Sequence, residues 1–355
     1  MIRVLIAEDS VTVRDLLENI LGADPEIIVA GVARDGLEAV EMTRRLRPDV
    51  ITMDINMPAM SGLEATKRIM NECPTPIVII SGSIDVREVG VSMAALQAGA
   101  LALLEKPPAV GTAQFEEATH HLVSTVKAMA DVKVVRHRQH RQEPPTSAFR
   151  GEPAPRARTR IVALAASTGG PAALGRVLSD LPGDFPVPIV VVQHMARGFL
   201  GGFAAWLSGI CALKVKLAAP GEPLMPSTVY IAGDDRHLGV TPDFRVRLDE
   251  GGPIGGFRPS ANYLFASVAA VYGASSVAVI LTGMGQDGLD GLSQLRAAGG
   301  RIIAQDEASC VVFGMPRAVI EAGLADAVLP LSLIGPHLVR ASAAERDRSR
   351  RGTWA

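Results

Sequence analysis

Ile161-Val162-Ala163-Leu164-Ala165-Ala166-Ser167-Thr168-Gly169-Gly170-Pro171 reads as an apolar strand, a tight glycine-rich turn and the first residues of a helix. A hydroxyl at the tip of such a turn projects beyond the carboxyl end of a sheet, where backbone N–H groups at the helix start can face a developing oxyanion. Taken alone, the turn fits three readings. Ser167 and Thr168 cap the helix, the glycines cradle a phosphate, or Ser167 is a nucleophile.

On the C-terminal side, apolar runs recur at 188–192, 214–217, 228–231, 276–281 and 301–304, with a hairpin pattern around 237–240 and 245–248. Helix-like segments separate them. This alternation calls for a doubly wound, mostly parallel α/β sheet covered on both faces, with an antiparallel hairpin insertion. Chemistry in such sheets sits past the carboxyl ends of the strands. Ser167 lies past the first run, Gln193-His194-Met195 past the second, and Thr282-Gly283-Met284-Gly285-Gln286-Asp287-Gly288 past the fifth. Singly, His194 fits a core histidine and Asp287 a turn residue. Jointly, Ser167, His194 and Asp287 have the composition of a nucleophile, a base and an orienting carboxylate. Their order along the chain differs from that of the α/β-hydrolases, and Ala165 stands where that elbow has glycine.

Residues 1–122 form a separate alternation of five strands (3–7, 27–32, 50–53, 76–80 and 100–104) with amphipathic segments, which predicts a five-stranded parallel (βα)5 domain. Glu8-Asp9 follow the first strand, Asp54 the third, Ser81 the fourth and Lys106 the fifth. Each alone is an ordinary capping, turn or solvated residue. Converging carboxylates, however, repel one another and call for a hard, oxygen-seeking cation such as Mg2+, and a lysine and a hydroxyl across the crevice complete a site for a phosphoryl group.

These residues carry a resemblance. Leu5-Ile6-Ala7-Glu8-Asp9-Ser10, Asp54-Ile55-Asn56-Met57-Pro58 with Ser61-Gly62, and Glu105-Lys106-Pro107 make residues 1–122 similar to the receiver domains of bacterial response regulators. The resemblance implies that Asp54 is phosphorylated by a histidine kinase of the CheA type. It also implies that Glu8, Asp9, Asp54 and the backbone carbonyl at Asn56 hold Mg2+, and that Ser81 and Lys106 sense the phosphate. Residues 160–341 resemble the catalytic domain of chemotaxis protein-glutamate methylesterases, the CheB family. That resemblance rests on Ala166-Ser167-Thr168-Gly169-Gly170, Gln193-His194-Met195, Thr282-Gly283-Met284-Gly285 with Asp287-Gly288, 304–310, and Phe313-Gly314-Met315-Pro316. It implies a Ser167, His194, Asp287 esterase that hydrolyses glutamyl γ-methyl esters on chemoreceptor helices, deamidates glutamine, and needs no cofactor for the ester step. The backbone N–H of Met284, helped at Thr168, is expected to hold the oxyanion. The sequence departs from the family pattern at Ala165, Ala196, Gly233-Asp234 and Asn262, which touches loop shape more than chemistry.

Between the two alternations, periodicity fades and proline and charge rise. From Ser124 to Arg160 there are nine Lys or Arg against three Asp or Glu, so 123–159 is expected to be a flexible linker that cannot bury enough apolar surface to order itself. The polar stretch 342–355 is expected to be a disordered tail.

At 355 residues and 48% hydrophobic content the chain can build two cores, and its net charge of −2 supplies no global field for nucleic acid. Cys73, Cys211 and Cys310 lie far apart in the sequence and read as reduced thiols. With no leader-like or membrane-length apolar run, a cytoplasmic monomer without membrane insertion is expected. Two other classes are a phosphorylation-gated adaptor that has lost catalysis and a receiver-regulated DNA-binding protein. The intact Ser167, His194, Asp287 set opposes the first, and the lack of a basic helix-turn-helix pattern opposes the second.

Overall fold

The computed structural model describes residues 1–82, 86–112, 114–132 and 158–343. The first domain runs β1 (Ile2–Ala7), α1 (Val11–Gly22), β2 (Ile27–Ala33), α2 (Gly36–Leu46), β3 (Val50–Asp54), α3 (Gly62–Glu72), β4 (Ile77–Ser81), α4 (Val86–Gln97), β5 (Ala102–Glu105) and α5 (Phe115–Ala130). Its five strands pair in the order β2-β1-β3-β4-β5. Those pairs are parallel, which requires a crossover helix between successive strands. Local signals set where the helices begin. Asp35 accepts from the N–H of Glu38 at the start of α2, and Ser61 and Glu64 form a reciprocal capping box on α3.

The second domain runs β6 (Ile161–Ala166), α6 (Gly170–Ser179), β7 (Ile189–Gln193), α7 (Phe199–Ile210), β8 (Lys214–Leu217), β9 (Thr228–Ile231), β10 (His237–Val240), β11 (Val246–Asp249), α8 (Ala261–Tyr272), β12 (Ser276–Ile280), α9 (Leu289–Ala297), β13 (Arg301–Gln305), α10 (Met315–Glu321), β14 (Ala327–Leu329) and α11 (Leu331–Ala343). Seven strands form one sheet in the order β14-β13-β12-β6-β7-β9-β8. From β6 the chain winds toward β8, and from β12 it winds the other way toward β14. The switch therefore falls between β6 and β12, and it opens a crevice past their carboxyl ends. Strands β6, β7 and β12 are wholly buried, as a sheet covered on both faces demands.

One expected boundary moves, and the remaining elements fall as follows. Helix α5 continues to Ala130, past the expected boundary at 122, because Leu122, Val126 and Met129 keep one buried face of the helix against the first sheet. The expected antiparallel hairpin insertion is β10–β11, which forms its own two-stranded sheet. Strand β14 was not foreseen; three residues without alternation give no period to read. Within the expected linker and tail, 133–157 and 344–355 lie outside the described residues.

The two domains touch. Helix α4 packs on α7 and α6, and one cluster of buried side chains runs from Met93 and Leu96 to Leu200 and Phe203. Val311 and Val312 of the second domain pack against the apolar cluster of the first that includes Leu104, Leu122 and Val126.

Candidate active site

The crevice at the switch point is assembled from three strand ends. The register pairs Ala166 with Gln193, and the N–H of His194 donates to Ala166 O at 3.0 Å, so Ser167 and His194 leave adjacent strands side by side. Leu281 N–H donates to Ala165 O at 2.9 Å and Ser167 N–H to Thr282 O at 3.0 Å, which brings the loop after β12 to the same place. Gly169 turns the chain into α6 with φ +77°, and a Cβ there would stand 2.5 Å from Val311 Cβ. Only glycine serves on both counts.

His194 Nε2 stands 2.9 Å from Asp287 Oδ2. The carboxylate is buried, and the start of α8 is aimed at it. Ser260 Oγ donates to Oδ1 at 2.8 Å, Ala261 N–H to Oδ2 at 2.6 Å and Asn262 N–H to Oδ1 at 3.1 Å. Burial pushes the Asp287 carboxyl up, but the bonds from His194, Ala261 and Ser260 outweigh it and hold the group below its ordinary range. It is an anion fixed by a helix N-terminus. Asn262 also accepts from the N–H groups of Gly288 and Gly291 at 3.1 and 3.0 Å, so this departure from the family pattern ties the loop of Asp287 to α8.

With Nε2 committed to Asp287, Nδ1 is the ring nitrogen left for a proton, and it is buried without a hydrogen-bond partner. The Ser167 side chain forms no hydrogen bond among the described residues, an arrangement that suits a site which tightens on substrate. The N–H groups of Met284 and Thr168 have no acceptor among the described residues either, while Gly283 O, just before Met284, is fixed by Gly314 N–H and Met315 N–H at 3.0 and 2.9 Å.

Two neighbours were given no role by the sequence. Phe257 stacks on the His194 ring with centroids 4.2 Å apart and planes 10° from parallel. Its signal was faint: one aromatic in the glycine-rich run 251–257. Thr282 is the other. Its buried hydroxyl donates to Thr168 O at 3.0 Å and accepts from Val312 N–H at 2.9 Å. This joins the serine turn to the segment that packs on the first domain. His121 of α5 keeps exposed surface, yet desolvation of its ring lowers its pKa, Glu117 opposes the shift, and the charges of His120 and His194 add to it.

In the first domain the predicted residues also converge. Glu8, Asp9 and Asp54 present carboxylate oxygens within 4.8 Å of one another. Lys106 Nζ stands 2.9 Å from Glu8 and 3.1 Å from Asp54. The ammonium lies equally close to both Glu8 oxygens, donating to Oε1 at 2.9 Å with Oε2 also 2.9 Å away. Desolvation raises the Asp54 and Glu8 carboxyls against the pull of Lys106. Desolvation also opposes charge on Lys106, but the two carboxylates outweigh it and raise its pKa. Three carboxylates converging this closely, with one lysine between two of them, suit a hard divalent cation. The N–H groups of Ile55 and Asn56 donate to Asp54. Ser81 is buried at the end of β4, opposite Glu105 in register, and its carbonyl accepts from Lys106 N–H at 3.0 Å.

Comparisons with known proteins follow the same division. The family model for the response regulator receiver domain matches residues 4–114, and that for CheB methylesterase matches 162–338. The chain is 54% identical over 342 residues to protein-glutamate methylesterase/protein-glutamine glutaminase 4 of Myxococcus xanthus, covering 96% of this chain and 97% of that protein. It is 53% identical over 341 residues to the corresponding protein 3 of Anaeromyxobacter dehalogenans, covering 95% and 98%. Among solved structures, the CheB methylesterase catalytic domain of Thermotoga maritima is 43% identical with a TM-score of 0.50, covering 52% of this chain and 99% of that one. No described helix is long and apolar enough to cross a membrane.

Proposed function

Because this chain belongs to the CheB family of receiver-fused protein-glutamate methylesterases, we propose that it is a phosphorylation-activated serine esterase acting on chemoreceptors. It hydrolyses glutamyl γ-methyl esters on their cytoplasmic helices and deamidates glutamines there. The observation that carries this reading is the meeting of Ser167, His194 and Asp287 at the switch point, with His194 Nε2 held 2.9 Å from a carboxylate that is itself fixed by α8.

In the reaction, Ser167 Oγ attacks the ester carbonyl while His194 Nδ1 takes the hydroxyl proton. Asp287 holds the ring and stabilises the imidazolium that forms. The N–H groups of Met284 and Thr168 receive the oxyanion, a contribution worth about 10²–10³ in rate per donor. As the tetrahedral intermediate collapses, the C–O bond to the methoxy group breaks and His194 returns its proton, releasing methanol. Water then gives a proton to His194 and attacks the acyl-enzyme, and collapse frees glutamate and restores the Ser167 hydroxyl. With a glutamine side chain the leaving group is ammonia. The ester step uses no cofactor.

Asp54 accepts the phosphoryl group from a histidine kinase of the CheA type. Glu8, Asp9, Asp54 and the carbonyl at Asn56 would hold Mg2+, which supplies charge neutralisation at the phosphoryl oxygens when bound. The phosphorylated side chain then draws in Lys106 and the Ser81 hydroxyl. The seams of α4 on α7 and of Val311 and Val312 on the first domain support inhibition by the unphosphorylated receiver. The test is methanol release from methylated receptor membranes, with and without Mg2+ and a small phosphodonor, using wild type, Ser167→Ala and Asp54→Ala. Release that needs Ser167, with stimulation that needs Asp54, is expected. Release independent of Ser167 refutes the assignment.

A further inference from the structure

The parallel ladder between β6 and β7 ends one residue before the chemistry. Its last rung is His194 N–H to Ala166 O. That rung engages the His194 amide; beyond it the chains diverge, Ser167 turning toward α6 and His194 toward α7, and among the described residues no further backbone bond joins the two strands. One side chain spans the gap. Gln193, 1% exposed, donates from Nε2 to Ser167 O at 2.9 Å and to His194 O at 2.7 Å. Both acceptors are carbonyls, so the carboxamide orientation is fixed: only the nitrogen can face them. Its oxygen points the other way, buried and without a hydrogen-bond donor, toward the first residue of α6, where a Cβ on Gly170 would stand 2.0 Å from Oε1.

We infer that Gln193 is a positioning residue that takes the place of the missing rung, tying the main chain of Ser167 to that of His194, and that Gly170 is required because any side chain there displaces the carboxamide. The inference rests on the roles proposed for Ser167 and His194. An alternative in which Gln193 only fills the core predicts that its loss affects folding but not the turnover of molecules that fold. A misplacement of about 1 Å between reacting groups costs about 100-fold in rate, so the two accounts separate kinetically.

The experiment uses the full-length, phosphodonor-activated chain and methylated receptor membranes over a range of receptor concentration, with active sites counted by a fluorophosphonate that labels the nucleophilic serine. Gln193→Met keeps the volume and removes both donors, and Gln193→Glu keeps the shape and places an acceptor against two carbonyls. For both, kcat per folded molecule and the fluorophosphonate rate should fall by about 10- to 100-fold, with KM within about twofold of wild type. Gly170→Ala should reproduce this loss, and the Gly170→Ala, Gln193→Met double variant should be no worse than the poorer single one. Wild-type kcat and labelling rate in both Gln193 variants, with only a lowered melting temperature, overturns the inference and leaves the esterase reading standing. Multiplicative losses in the double variant overturn the link to Gly170. Undiminished release by Ser167→Ala overturns the esterase reading and this inference with it.

Discussion

Asp287 meets His194 at Nε2, 2.9 Å away, and not at Nδ1. The pairing decides which nitrogen works. In the proposed reaction the proton from Ser167 arrives at Nδ1, and the ring cannot turn over without stripping Asp287 of a donor while three others from the start of α8 still bind it.

Asp287→Asn therefore keeps the shape of the network but offers His194 an amide that no longer enforces the tautomer. We expect kcat for methanol release to fall by about 10⁴-fold. Ser260→Ala removes one donor to the carboxylate and the side-chain cap of α8. It should cost about 1–3 kcal/mol in denaturant unfolding, with a smaller kinetic effect than Asp287→Asn. Equal kinetic losses in the two variants would contradict this ranking.

Phe257 shields one face of the imidazole and offers its π face to the imidazolium formed in the reaction. Aromatic pairs of this kind are worth about 0.5–1.5 kcal/mol, so Phe257→Ala should lower kcat by about 2- to 10-fold. Phe257→Tyr should restore it. Activity retained in Phe257→Ala means the stack is dispensable.

The low Asp287 carboxyl makes a pH prediction. Its folded pKa lies below the ordinary 3.8, so the unfolded chain binds more protons as the solution turns acid. The stabilisation is complete above about pH 3.8 and is lost as pH falls through the lower folded value. The catalytic domain of Asp287→Asn should therefore lose less stability than wild type between pH 4 and the acid transition, measured by calorimetry. A parallel pH dependence in the two proteins counts against the assignment.

Glu8 and Asp54 act in the opposite sense. Desolvation raises both carboxyls from 4.5 and 3.8, so without metal the receiver holds extra protons and loses stability as pH rises through the raised values. Mg2+ binds the ionised form and should offset the loss. At a concentration 100 times its dissociation constant it should stabilise the receiver by about 2.7 kcal/mol, seen as a higher melting temperature at pH 7 and a small effect at pH 4. Glu8→Gln should remove most of the gain; an undiminished Mg2+ response places the ion elsewhere.

Truncation tests the seam between the domains. A chain beginning at Arg158 keeps every element of the second sheet and removes the receiver that packs on α7, Val311 and Val312. It should release methanol faster than the unphosphorylated full chain and ignore phosphodonor. A rate no higher than that of the full chain argues against inhibition by contact.

Sequence alone indicated every described strand but β14, the presence of two α/β alternations and the residues at the strand ends. The reason is physical: in a buried parallel sheet the strands must be apolar throughout and the loops past their carboxyl ends carry the polar chemistry, so Ser167, His194, Asp287, Glu8, Asp54 and Lys106 stand out by position as well as type. Tertiary structure alone decided how those residues are held. That Nε2 of His194 takes Asp287, that Phe257 lies on the imidazole, that Gln193 joins two carbonyls and that Val312 links Thr282 to the receiver are contacts between segments far apart in the chain. Local periodicity records which face of an element is buried, not which distant side chain buries it.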